Sequence, residues 1–486
     1  MQVNHRPGPG RVDIVADEPN LTPHAGLLVT GEIARRTGLV ESLDAEIAAV
    51  RRAPAIKMRA RGISPGALVA SLAEAQLAGG TYFEHLRALR ADLPGAPLRA
   101  VPETPAPQTA LRLAGGFRTS HLRALERGLA AAGARLDSAL GRPAGAPVTL
   151  DVDTLPVVVH GRQKQGAGWT REGRRAYQPL VVTWAQRGRP VAWELLSGSQ
   201  IPRGRPATAI LRRALALLPN GHGPVWVRMD SAFYALETLE ELRRRRAVFS
   251  LSVPRFPVFW RALAAIPADA WEAAEGMEGA EVAETTYTPE EWSHGPLRLV
   301  VRRVRIACAD ISADARARRR RTIPKDQLAL AAAGQLGFVY GYSFILTSAG
   351  PEHDAVEVER HHRMRAQIEE RFKDAKLGMA LSHLPSGKRA ANLVWLAASL
   401  VALALAAMTC DLHPAARASD RTPPGVDPRD RRPLRRHGAT LRRLLICVPA
   451  RVARTARRLV LHLPAGFPGA AGFAAAYAGA RALAVP

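Results

Sequence analysis

Residues 21–145 place apolar side chains at helical spacing, with breaks at proline and glycine, and predict a mostly helical region. Within it, residues 31–39 (Gly-Glu-Ile-Ala-Arg-Arg-Thr-Gly-Leu) have the small-residue look of a helix-turn-helix with Gly38 at the bend, a pattern that a plain helical bundle also produces. Ser64 and Pro65 supply an N-cap and a first-turn proline for a helix running to residue 78. A stretch rich in Pro and Ala at 94–107 interrupts the region. From Pro147 the pattern changes to short β-branched runs. Residues 148–153, 157–159 and 180–184 read as strands, 207–218 as a helix and 225–229 as a strand ending at Asp230. A helix at 235–246 and a strand at 247–253 complete the series.

The order of three strands, helix, strand, helix, strand is that of a ribonuclease-H-like sheet. Beyond residue 254 the pattern is irregular as far as 336, with a strand candidate at 297–306 and an arginine run at 316–321. Residues 338–347 again read as a strand, and 354–376 as one helix. Residues 393–410 carry no charge over 18 positions, the lower edge of a membrane span. That stretch is Ala-rich and lacks an aromatic belt, so a buried core helix is the expectation. A Pro/Arg-rich linker at 413–436 leads to a basic helix expected near 440–463. The predicted fold class is α/β: a ribonuclease-H-like mixed sheet with helices, interrupted by a β-rich insertion, plus an N-terminal helical region and a C-terminal basic helix. The expected divisions are 1–146 (helical), 147–253 (first part of the core, with two Asp), 254–337 (insertion), 338–412 (second part of the core, with the Glu helix) and 413–486 (basic linker and helix).

Composition changes this picture in one respect. The 486 residues, at roughly 150 per domain about three domains' worth, are 47% hydrophobic and 23% charged, as in ordinary globular chains. The charge balance is not ordinary, because 68 Lys+Arg against 43 Asp+Glu leave a net charge of +25. Such an excess points to a polyanionic partner, nucleic acid or an acidic membrane surface, and excludes a disordered acidic tail. Nearly all the cations are Arg, alongside abundant Ala, Gly and Pro, as GC-rich coding produces. Codon bias accounts for Arg over Lys but not for cations over carboxylates. Cys308, Cys410 and Cys447 lie far apart with no CxxC pair, which argues against a disulfide scaffold or a zinc cluster and fits a reducing cytoplasm. The first thirty residues show no secretory pattern.

Candidate chemistry rests on acids. Asp151 and Asp153 are two apart on a predicted strand and project from one face. A carboxylate there must be paired, solvated or metal-bound to offset its desolvation. Asp230 ends a second strand that, in this strand order, lies beside the first. Carboxylates brought together repel unless a divalent cation neutralises them, and oxygen ligands suit Mg²⁺ or Mn²⁺. An Asp at a strand end is also an ordinary cap or turn residue. On the helix at 354–376, His362, Arg365, Glu369 and Lys376 are spaced by 3, 4 and 7 and form one stripe. A solvated face with Arg365–Glu369 and Glu369–Lys373 pairs has the same spacing. The chain holds only six lysines, and Lys373, Lys376 and Lys388 fall close behind Glu369.

Together these blocks resemble a DDE-type bacterial insertion-sequence transposase, of the cut-and-paste group with a Y-x2-R-x3-E-x6-K signature. This chain reads His362-x2-Arg365-x3-Glu369-x6-Lys376. Residues 150–155 (Leu-Asp-Val-Asp-Thr-Leu) resemble the group's first-aspartate strand, in which Thr follows the acid, and 160–167 and 177–180 resemble its next strands. Residues 227–234 resemble its Arg-x-Asp-Ser-Gly-Phe segment, and 391–395 and 457–463 also fit. The resemblance spans residues 21–467 and is least specific in the N-terminal part. Two positions depart from it: His362 stands where the signature has Tyr, and Ala232 where Gly is usual.

The resemblance implies that Asp153, Asp230 and Glu369 hold two Mg²⁺ ions, with Mn²⁺ as the alternative metal and Asp151 as the alternative first ligand. One ion would activate water or a DNA 3′-OH, and the other would stabilise the leaving oxygen of an in-line phosphodiester displacement. His362, Arg365, Lys373 and Lys376 would contact double-stranded DNA at its backbone. Residues 1–146 would bind the element ends, and a homodimer on DNA would pair two of them. Trp260, Trp271 and Trp292 in the insertion offer stacking surfaces for a flipped base, although core or loop packing accounts for each. The arginines at 243–246 and 316–321, and the thirteen between 413 and 460, suit a DNA track; the run at 243–246 also suits a helix C-terminal dipole. The expected function is a metal-dependent transposase that cleaves DNA and transfers strands of an insertion sequence in the bacterial cytoplasm, with no membrane partner. A non-catalytic DNA-binding regulator or inactive remnant would keep the basic surfaces without needing the acids. A sequence-independent metal nuclease would cut DNA lacking the terminal repeats.

Overall fold

The computed structural model describes residues 14–57, 61–314, 322–412 and 437–484; the arginine run at 316–321 and the linker at 413–436 lie outside the described residues. A large mixed sheet organises the protein. Its centre is built from β1 (Val148–Thr154), β2 (Arg175–Trp184), β3 (Arg189–Ser197), β4 (Val225–Met229) and β5 (Val248–Ser252), in the spatial order β3-β2-β1-β4-β5. β2 is antiparallel to β1 and β3, whereas β4 and β5 run parallel to β1. This is the ribonuclease-H-like arrangement. Helices α5 (Arg205–Ala216) and α6 (Leu236–Arg244) make the crossovers that parallel pairing requires and share a hydrophobic core with one face of the sheet. β4 is buried throughout, as expected of a strand covered on both faces.

Two details differ from the pattern reading. The third central strand is β3, which the alternation did not reveal, because its entry carries Arg189 and Pro190 and its middle Glu194. Residues 157–158 form only a two-residue bridge to β2. The segment expected as an insertion extends the same sheet. β8 (Phe338–Thr347) pairs antiparallel with β5, β7 (Leu297–Ala307) with β8, and β6 (Ala280–Tyr287) with β7.

The opposite face of β1–β3 is covered by helices from both ends of the chain. Trp193, Leu195 and Val181 share one core with α1 (Leu27–Arg36), α2 (Leu39–Ala48), α3 (Pro65–Leu77), α4 (Thr119–Ala139) and α9 (Arg389–Asp411). The uncharged stretch is the middle of α9, and it is buried along its whole length. Buried charges fasten these layers. Glu126 on α4 accepts from the Trp193 amide at 2.8 Å and from Arg213 on α5, and Asp137 on α4 receives Arg189 and Arg142.

The helix-turn-helix expectation is corrected by this packing. α1 and α2 do turn at Gly38, whose φ of +57° suits glycine. However, α1 is walled in, since a Cβ at Gly31 would stand 2.4 Å from the Leu98 carbonyl. The outward residues of α2 are Glu41, Ala45 and Ala48, with Asp44 and Glu46 half-buried beside them. An acidic outer face is the wrong sign for reading a DNA groove, so this corner belongs to the bundle. The basic helix expected at 440–463 is also replaced. A short helix and π-turn (Gly438–Leu441, Arg442–Ile446) lead into a hairpin of β9 (Ala450–Thr455) and β10 (Arg458–His462), and β9 pairs with residues 21–22. Pro449 interrupts helical hydrogen bonding, and the alternation of exposed Arg451 with buried Val452 has the period of a strand.

Candidate active site

The parallel pairing of β1 with β4 sets the geometry. Val152 is level with Met229, so the next residues, Asp153 near the end of β1 and Asp230 just past the end of β4, stand side by side at the same end of the sheet. Asp230 caps a one-turn 3-10 helix, Ser231–Phe233, accepting from the Ala232 amide at 2.9 Å. Ala232 is absent from the positive-φ residues, so alanine in place of the usual glycine carries no backbone strain. Asp153 accepts from the Thr154 amide at 2.7 Å and from Arg365 Nη1 at 3.2 Å.

Asp151 occupies a different environment. It is 2% exposed and lies opposite Arg228 of β4, itself 1% exposed. Arg228 Nε donates to Asp151 Oδ1 at 2.6 Å and Nη2 to Oδ2 at 2.8 Å, a bidentate fork. The third guanidinium nitrogen, Nη1, donates to the His361 carbonyl at 2.7 Å. Below this pair, Thr149 Oγ1 meets His361 Nε2 at 3.2 Å and accepts from Gln186 Nε2 at 2.9 Å. Arg228 is the arginine of the segment resembling Arg-x-Asp-Ser-Gly-Phe, but its pairing with Asp151, and the part His361 plays beside it, were not expected from the sequence. The available signal was a cation inside an otherwise apolar strand, Val-Trp-Val-Arg-Met, since a buried charge requires a partner.

The expected single helix at 354–376 is broken. α7 (Ala355–Arg363) gives way to a 3-10 turn at Met364–Ala366, and α8 (Gln367–Leu377) follows. The break changes the facing, so His362 and Glu369 do not form one stripe. His362 is 6% exposed and lies between two serines of β5, with Nδ1 2.9 Å from Ser250 Oγ and Nε2 2.9 Å from Ser252 Oγ. Burial, helped by the charges of Arg365 and Arg228, pushes its pKa down to about 3. A neutral imidazole with both nitrogens occupied cannot serve as the expected phosphate contact, and His362 is a fastener between α7 and the sheet.

Arg365 lies in the turn and reaches Asp153, as noted above. Glu369 follows in the first turn of α8 and is exposed, as is Lys373; Lys376 is half-buried. The acids act on one another. Burial raises the Asp153 carboxyl to about 6, with the Asp230 charge adding to the rise, Arg365 opposing it and Glu369 adding further. The structure thus brings Asp153, Asp230, Glu369 and Arg365 to one rim of the sheet, with Lys373 and Lys376 further along α8.

The three carboxylates, with a single guanidinium on Asp153 against them, carry hard oxygen donors of the kind that Mg²⁺ or Mn²⁺ takes. As the side chains stand, no three His, Cys, Asp or Glu among the described residues are grouped closely enough to hold an ion. The fit lies in charge and ligand type, and Arg365 occupies Asp153 Oδ2.

The family described as transposase DDE domain, group 1, matches residues 8–484 of the chain. Among solved structures, the chain is similar to the piggyBac transposase synaptic complex with hairpin DNA, at 10% sequence identity and a TM-score of 0.40, over 87% of this chain and 80% of that one. No curated protein sequence matches it.

Proposed function

The chain belongs to the transposase DDE family, and from that premise we propose that it excises and joins a bacterial insertion sequence by a cut-and-paste reaction on double-stranded DNA. The observation that carries this reading is the arrival of Asp153 and Asp230 at one end of two parallel neighbouring strands, with the charge of Glu369 felt at Asp153. Asp153, Asp230 and Glu369 would hold Mg²⁺ or Mn²⁺. When bound, the metal supplies activation of an attacking oxygen and stabilisation of the leaving one. Asp153 must shed its proton to serve as a ligand, and its raised pKa makes that step sensitive to neutral and mildly acidic pH. Arg365 balances the Asp153 charge in the absence of a ligand; once released from it, its guanidinium faces the scissile region and binds a backbone phosphate. Lys373 and Lys376 extend the same contact along α8, in keeping with the His362-x2-Arg365-x3-Glu369-x6-Lys376 reading. Asp151 takes no part as a ligand, because Arg228 holds both its oxygens. Joining two element ends requires two active sites, and a homodimer on DNA provides them. A cytoplasmic location is part of the same proposal, because Cys308, Cys410 and Cys447 lie far apart in the sequence with no CxxC pair.

The test is cleavage of labelled DNA carrying the element ends, with Mg²⁺ or with EDTA, by wild type and Glu369→Ala. Cleavage should require metal and fall by roughly a hundredfold or more in the variant. Specific binding without cleavage by either protein would instead support an inactive remnant or regulator. Cleavage indifferent to the terminal repeats would support a general nuclease.

A further inference from the structure

The four arginines at 243–246 divide into two pairs by geometry. Arg244 and Arg245, together with Arg212 of α5, converge on the buried Glu241 carboxylate at 2.5, 3.2 and 2.9 Å. These partners, led by the Arg212 hydrogen bond, hold the Glu241 carboxyl down to about 2. Arg243 and Arg246 take no part in that network. Both are exposed, neither guanidinium has a hydrogen bond or ion pair among the described residues, and both line a cleft of about 380 Å³. Trp292, His294, Arg298 and Ser348 complete its walls, and no acid lines it. The other basic residues there are already engaged: His294 with Glu240, and Arg298 with Glu284 and the Gly350 and His353 carbonyls.

A second observation concerns the backbone of Arg246. It follows the C-cap of α6 with φ +55°, and the Ala247 and Arg246 amides close a Schellman turn onto the Leu242 and Arg243 carbonyls at 3.0 and 2.9 Å. Glycine normally fills this position because an L side chain is strained in the left-handed conformation. The arginine at this position carries that strain, and its side chain lines the cleft.

We infer that this cleft is a second nucleic-acid site, in which Arg243 and Arg246 each bind a backbone phosphate of the DNA duplex away from the scissile bond. Val248 at its floor is level with Trp226, four residues before Asp230 on the neighbouring strand. At about 3.3 Å per residue the cleft lies about 13 Å from the acids, at the opposite end of the sheet. A phosphate held there belongs to flanking or target DNA. The inference rests on the reading of the protein as a DNA-processing transposase.

The test uses the full chain and a labelled duplex, with anisotropy measured in EDTA over a salt series so that cleavage plays no part. The double variant Arg243→Ser/Arg246→Gly should flatten the slope of log affinity against log salt by about 1.8, two contacts at about 0.9 each. Arg246→Gly alone should flatten it by about 0.9, with Tm unchanged or raised, because glycine suits the turn. Arg244→Ser removes the same charge from the Glu241 network and should change the slope by less than half as much. An unchanged slope in the double variant, or an equal change in Arg244→Ser, overturns the inference. Absence of duplex binding by wild type overturns it together with the transposase reading. A flattened slope combined with cleavage that ignores metal and Glu369 leaves the cleft standing and removes the catalytic reading alone.

Discussion

The interior of the β1–β4 pair and its rim carry the same kind of residue for opposite ends. Asp151 and Asp153 share one strand and one face, two positions apart. In the interior, water is excluded and Arg228 meets Asp151 with two parallel hydrogen bonds while fastening the end of α7. At the rim, Asp153 has one bond to Arg365, and its carboxyl is raised by partial burial, with the charges of Asp230 and Glu369 adding to the rise. A charge that is fully paired becomes structure, whereas a charge left short of partners among like charges is ready for a ligand. The difference arises from some seven ångströms along a strand, two residues at about 3.3 Å each.

The sharpest way to break this comparison is to neutralise each acid in turn. Asp151→Asn leaves Arg228 buried without its counter-ion and should lower unfolding stability by about 3–5 kcal/mol in urea titration. Asp153→Asn removes a charge that burial and its acidic neighbours disfavour, and should leave stability unchanged or raised at neutral pH while abolishing cleavage. The reverse pattern would show that the interior and the rim have been assigned the wrong way round.

An intermediate effect concerns His362, whose pKa in the fold lies below its ordinary value of 6.5. Between about 3 and 6.5 the unfolded chain binds the proton and the fold does not, so stability is complete above 6.5 and falls as pH drops. Between pH 7 and pH 5 this histidine should account for a loss on the order of 2 kcal/mol. His362→Gln, which keeps a donor and an acceptor near the two serines, should remove that part of the acid sensitivity; an identical pH profile in the variant would refute the buried, neutral assignment. The smallest effect belongs to Arg365→Ala at the rim. Losing a single ion pair there should cost less than about 1 kcal/mol in melting experiments, while the salt slope for DNA should flatten by about 0.9. A larger stability loss with an unchanged slope would make Arg365 part of the structure.

Much of the sheet was legible because its strands carry the apolar runs that burial on both faces demands, as in β4 and β8. β3 was not, since its Arg189 and Glu194 interrupt the run, and those charges are tolerated because Arg189 pairs with Asp137 on α4 and Glu194 with Arg213 on α5. The hairpin at 450–462 was misread because arginine spacing drew attention ahead of Pro449 and the period-2 alternation. At the site, motif spacing brought Asp153, Asp230, Glu369 and Arg365 to notice. The same spacing wrongly grouped His362 with them, because a 3-10 turn between two helices leaves no mark that periodicity can detect.

The sequence by itself determined the element types, the basic surplus and the identity of the acids, since these follow from local patterning and side-chain chemistry. Which of two adjacent aspartates is fastened and which is exposed to its rivals, whether α2 faces DNA or the core, and which arginines of a run of four are already partnered were decided only by tertiary structure. Each of those outcomes depends on what stands across from the residue, and neighbours distant in the chain meet only when the sheet and its covering helices are assembled.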